Sequence, residues 1–94
     1  LSFTNNGVKE LKKARIDNLK FGNATYSVTM DGSSLEISNL FGAVYKDTMV
    51  QMRFAKPSGN YKVYVNGTET TDYTEANGYV VVTVKLSNVK VTVE

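Results

Sequence analysis

Cysteine, histidine and tryptophan are all missing from this chain, and proline occurs once. Without cysteine there is no disulfide framework and no thiolate nucleophile. Without cysteine and histidine together, the usual zinc and copper ligands are gone. The lack of histidine also removes the side chain most often used as a general base near neutral pH, leaving carboxylates, lysines and tyrosines for proton transfer. These absences point away from an enzyme, a metal site and a cofactor. No apolar run approaches the ~20 residues needed to span a bilayer and none reads as a signal-peptide core, so neither a membrane span nor a signal peptide is expected within these residues. Zero cysteine by itself decides no compartment.

Charge is scarce as well. Eleven basic and nine acidic residues leave a formal charge of +2, dispersed along the chain, which excludes a nucleic-acid footprint. The one local excess, Lys9, Lys12, Lys13 and Arg15, is diluted by Glu10 and Asp17 and reads as a solvated face. Ninety-four residues suit a single domain with a modest core. The chain opens at Leu1 in what already reads as strand, so a segment of a longer polypeptide is expected.

What is present is alternation. The block from Gly59 to Glu94 is rich in valine and holds three β-prone runs, Tyr61 to Val65, Gly78 to Leu86 and Val89 to Val93. Asn66-Gly67 is the strongest hairpin signal, and Thr68 to Thr71 should pair back. Asp72 to Asn77 reads as polar turn. From Tyr79 to Leu86 both faces carry apolar residues, as expected of a central strand, whereas Val89, Val91 and Val93 point inward from a strand wet on one side.

Upstream, Leu1 to Thr4 predicts a short strand followed by an Asn5-Asn6-Gly7 turn. Val8 to Lys13 is expected to be irregular, an edge or one helical turn. The strand from Ala14 to Phe21 needs a bulge near Asp17-Asn18 to bring Ile16 into parity with Leu19 and Phe21. Thr25 to Ser38 predicts a hairpin, with Tyr26, Val28 and Met30 on one face and Asp31-Gly32 at its turn, a positive φ being expected at the glycine. Asn39 to Asp47 is an apolar loop or a crossing strand. Thr48 to Ala55 alternates Val50, Met52 and Phe54 inward with Met49, Gln51 and Arg53 outward, and Lys56-Pro57-Ser58-Gly59-Asn60 ends it. The sum is about seven or eight short strands at spacings of roughly 8 to 12 residues with no amphipathic helix, which predicts an all-β antiparallel β-sandwich, immunoglobulin-like or jelly-roll-like. The tryptophan and cysteine pair of an antibody domain is absent, so only the architecture is supported.

The carboxylates Asp31, Asp47, Asp72 and Glu75 could in principle flank a glycosidic bond, but each falls in an expected turn, where a carboxylate serves backbone hydrogen bonding. No D-x-D-x-D-G loop gathers oxygens for calcium. Asn23-Ala24-Thr25 and Asn66-Gly67-Thr68 match the glycosylation acceptor pattern, which recurs by chance. The six tyrosines are more informative, because a planar ring can stack on a sugar while nearby polar groups bind its hydroxyls. Tyr26 and Tyr61 fall on inward faces and belong to the core. Tyr45, Tyr64 and Tyr73 are the outward or loop candidates, with Arg53 and Asn60 as polar partners.

Two stretches, Ile16 to Gly32 and Gly59 to Gly67, resemble the C-terminal β-sandwich domains of secreted bacterial carbohydrate-active enzymes, including glycosidases with a helical toroid catalytic domain. The resemblance covers about half the chain. It implies a secreted or cell-surface domain that packs on its catalytic neighbour in the same polypeptide and carries no catalytic residue. Three readings follow: such an accessory module of a polysaccharide-active enzyme, an independent carbohydrate-binding module, and a structural domain of an adhesin or phage particle.

Overall fold

A computed structural model describes residues 2–5, 13–42 and 48–94. Its strands are β1 Ser2–Asn5, β2 Lys13–Phe21, β3 Ala24–Asp31, β4 Ser34–Phe41, β5 Met49–Ala55, β6 Val63–Val65, β7 Thr68–Thr70, β8 Thr74–Ala76, β9 Tyr79–Lys85 and β10 Val89–Val93. They form a four-stranded sheet in the order β1-β5-β9-β8 and a six-stranded sheet in the order β2-β3-β4-β10-β6-β7. No helix occurs among the described residues. The expectations for residues 6–12 and 43–47 lie outside the described residues.

Period-two alternation turns these sequences into two sheets with one shared core. In β5 every second residue is buried, and Val50, Met52 and Phe54 meet Val84, Val82 and Val80 of β9 in register. In the other sheet Leu35 pairs with Val91 and Val28 with Ile37. Side chains of both sheets join one apolar cluster, an arrangement compatible with a β-sandwich. Phe3 of β1 meets Tyr26 of β3 edge to face, with centroids 6.3 Å apart. Asn5, almost fully buried, donates from Nδ2 to the Asp31 carbonyl at 3.0 Å and the Ser34 carbonyl at 3.1 Å, stitching the two sheets together.

Several expectations hold. The β2–β3 register slips between Ile16 and Leu19, and Asn18 takes φ 59°, so the bulge lies where the parity of the apolar residues required it. The Asn66-Gly67 turn has φ 51° and 80°, as a tight hairpin needs. β9 lies inside its sheet, between β5 and β8.

Others are corrected. The described residues hold ten strands, not seven or eight. Part of the excess is β8, which contains no large apolar residue and is exposed throughout, so no apolar alternation marks it; it forms by pairing with β9 across Asn77-Gly78, whose φ values of 54° and 82° repeat those of the other Asn-Gly turn. The sheets are not wholly antiparallel, because β1 pairs parallel to β5 as an edge strand. Strand β6 starts at Val63 instead of Tyr61. The β3–β4 hairpin turns at Gly32 without a positive φ there; the Asp31 carboxylate accepts the Gly32 N–H at 2.8 Å instead. A second bulge, with Asn39 at φ 55°, sets Asn39 and Leu40 against Tyr26 and carries β4 on to Phe41.

Gly42 and Gly59 test how much of this depends on backbone approach. Both take strongly positive φ, 103° and 96°, but a Cβ on Gly42 would lie 2.3 Å from the Asn23 carbonyl oxygen, whereas one on Gly59 would meet nothing within 4 Å. Gly59→Ala should therefore cost about 1 kcal/mol of unfolding free energy and Gly42→Ala roughly 3 kcal/mol or more, measured by urea titration.

Candidate functional site

The outward face of the four-stranded sheet carries a groove whose lining includes a residue singled out from the sequence. Because register partners share a face, pairing defines its rows. Arg53 lies beside Val81, which lies beside Thr74; Ala55 lies beside Tyr79, which lies beside Ala76. Gln51 and Thr83 form the row before. The small side chains of Ala55 and Ala76 flank the Tyr79 position, and the Asn77-Gly78 turn closes one end. The result is an open depression of about 320 Å³ lined by Gln51, Arg53, Thr74, Ala76, Asn77, Tyr79 and Val81. It combines one aromatic ring and two aliphatic side chains, Ala76 and Val81, with a guanidinium, two amides and the Thr74 hydroxyl.

Arg53 Nη2 donates to Gln51 Oε1 over 3.4 Å, a long bond between exposed groups. Among the described residues Arg53 makes no ion pair. No outward position of β1, β5, β8 or β9 carries a carboxylate, whereas Lys85 adds a second cation to the face. The one acid on these strands is Glu75, which stands opposite Val80 at the sheet edge. Its carboxylate accepts the Tyr61 hydroxyl proton and pairs with Lys56 Nζ at 3.0 Å.

The other candidates lie elsewhere. Tyr64 is on the outward face of the six-stranded sheet, opposite Thr92 and Glu69. Asn60 is exposed in the loop before β6. Tyr73 is half-buried against the core and tilts onto Tyr61 with centroids 5.9 Å apart, so it is less available as a platform than its polar surroundings suggest. Tyr45 lies outside the described residues. Of the four candidates among the described residues, Arg53 alone lines the groove. Tyr79, which does line it, was legible as an outward residue of β9, but nothing in the sequence showed that alanines would flank it. Tyr26 is buried as expected; Tyr61 is only half-buried, with its hydroxyl turned to Glu75. Among the described residues no three acidic side chains gather in a way that could hold a metal ion. The Asp31 carboxylate accepts the Gly32 N–H, whereas at Asp72 the backbone N–H donates to Thr70 Oγ1.

Tyr61, Tyr73, Glu75 and Lys56 latch the loop after β5 onto β8. Hydrogen bonding to the Glu75 carboxylate, then desolvation and that carboxylate's charge, hold the Tyr61 phenol well above its usual range. The same bond, with Lys56, holds Glu75 below the usual carboxylate range. The signs follow by linkage. Tyr61 ionises at higher pH in the folded chain than in the unfolded one, so its contribution is complete below pH 10 and drains away as pH rises above it. Glu75 contributes fully above pH 4.5 and loses that contribution as pH falls toward its folded value. Urea midpoints measured across pH should fall above pH 10, and Tyr61→Phe should flatten that limb, leaving the part due to the buried Tyr26 phenol, which is also raised.

Comparison with known proteins finds no family model, no curated protein and no solved structure that matches this chain, so its chemistry is read from the groove itself.

Proposed function

We propose that this chain is a noncatalytic β-sandwich accessory module of a larger secreted or surface polysaccharide-active protein, and that it touches glycan through the outward face of its four-stranded sheet. The observation that carries this reading is the open depression holding Tyr79, Val81, Arg53, Gln51 and Thr74. A sugar ring offers an apolar face and a rim of hydroxyls, and this lining answers with a phenol ring and a valine among polar groups. A shallow, open groove suits a chain that extends beyond the contact. The resemblance of Ile16 to Gly32 and Gly59 to Gly67 to accessory domains of carbohydrate-active enzymes agrees with it.

Electrophoresis through gels containing a panel of polysaccharides tests the reading. At least one polymer should retard the chain, Tyr79→Ala and Arg53→Ala should remove the retardation, and Tyr64→Ala, on the other sheet, should keep it. Retardation by no polymer, or retardation untouched by both groove variants, would sink the proposal.

Docking on a neighbouring domain is a second reading, favoured by Phe41, a large apolar side chain left 80% exposed at the end of β4. On that reading Phe41→Ser in the intact parent polypeptide lowers its melting temperature; an unchanged melting temperature counts against docking there.

A further inference from the structure

Resting on the glycan-contact reading, we infer that the groove selects acidic sugars, with Arg53 binding the carboxylate of a uronic acid residue while Tyr79 and Val81 supply its apolar floor. The argument starts from what the face lacks. Sites for neutral sugars gain much of their strength from carboxylates, which accept hydroxyl protons in charge-assisted bonds. None stands at an outward position of β1, β5, β8 or β9, and the nearby Glu75 is already engaged by Tyr61 and Lys56. A neutral sugar would find amide and hydroxyl acceptors only. A uronate brings its own acceptor.

The cation it needs is present without an acid partner. A guanidinium has five N–H donors in a planar fork that matches a carboxylate. Arg53 commits one nitrogen to a 3.4 Å bond with Gln51 and makes no ion pair among the described residues. The six-stranded sheet shows the contrast. There Arg15 holds Asp17 at 2.7 Å, Lys62 lies 3.8 Å from Glu69, and Lys90 stands opposite Glu36 in register. Arg15 and Lys62 thus have a carboxylate within 4 Å, whereas Arg53 and Lys85 have none among the described residues and give their face a positive potential. Val81 beside Arg53, and Tyr79 one row along, place apolar surface next to the fork, as a six-membered ring bearing a carboxylate requires.

The test uses the chain and three polymers: polygalacturonate, the same backbone with its carboxylates methyl-esterified and so uncharged, and dextran sulfate, with affinity read by gel retardation and calorimetry. Polygalacturonate should bind about tenfold or more tightly than its ester, and Arg53→Gln should erase that difference, as expected for loss of a charge-assisted pair. Arg53→Lys, which keeps the charge but not the fork, should restore part of it. Lys90→Gln, the same charge change on the other sheet, should alter binding by less than about twofold. Arg53 is exposed, so all variants should keep their thermal unfolding midpoint. Equal binding of ester and acid, or binding confined to neutral polymers, would overturn the acid selectivity and leave glycan contact standing. Equal losses in Arg53→Gln and Lys90→Gln would reduce the effect to net charge and overturn it, as would tighter binding of dextran sulfate, which assigns the anion to sulfate. Binding to no polymer at all would remove both readings.

Discussion

Burial of two alternating apolar faces against each other is the constraint from which the rest of this structure follows. Each strand can point only every second side chain at the core, so placing Val50, Met52 and Phe54 inside forces Gln51 and Arg53 outside. The same rule on β9 buries Val80 and Val82 and turns Tyr79 and Val81 outward. Because β5 and β9 pair in register, the outward residues meet as rows. The groove is thus a by-product of core packing.

That dependence explains how much could be read in advance. Alternation is written in the residue order, so the inward faces of the longer strands, the bulge at Asn18 and the Asn66-Gly67 hairpin were all legible. Strand β8 was not, because Thr74, Glu75 and Ala76 bury nothing and take their conformation from hydrogen bonds to β9. The second Asn-Gly pair, at Asn77-Gly78, was the available signal. Parallel pairing of β1 leaves no local trace either, since the partner strand lies far along the chain. For the site, parity placed Arg53 and Tyr79 outward, but only the sheet order brings them together. Tyr64, outward on its own strand, proves to be on the opposite sheet, and the polar neighbours of Tyr73 concealed its packing against Tyr61.

The two outward faces solve solubility differently. The six-stranded sheet pairs part of its charge: the bulge that repairs the parity of β2 also brings Asp17 to the Arg15 guanidinium and to the Ser27 hydroxyl at 2.8 Å. Hydrogen bonds to those two groups keep the Asp17 carboxyl below its usual range. The four-stranded sheet instead leaves like charges unanswered on a surface of threonine, glutamine, alanine and tyrosine. An exposed pair such as Arg15 and Asp17 contributes little to stability. Its effect is to silence that face electrostatically, so that the contrast between faces, more than the charge of either, gives the molecule a direction.

Strand β1 carries a consequence for the order in which this fold assembles. Its four residues pair with β5 across a sequence separation of 49 positions, Ser2 to Gln51, whereas β3 with β4 and β6 with β7 close through two-residue turns. Closing the long loop costs entropy that the short hairpins avoid, and only one small edge strand is gained for it. That balance favours β1 joining last and leaving first. When it leaves, Asn5 withdraws from the Asp31 and Ser34 carbonyls and Phe3 from Tyr26, opening the seam between the sheets while the hairpins stay intact. Strand β1 is thus the slider of a zip fastener that runs between the two sheets.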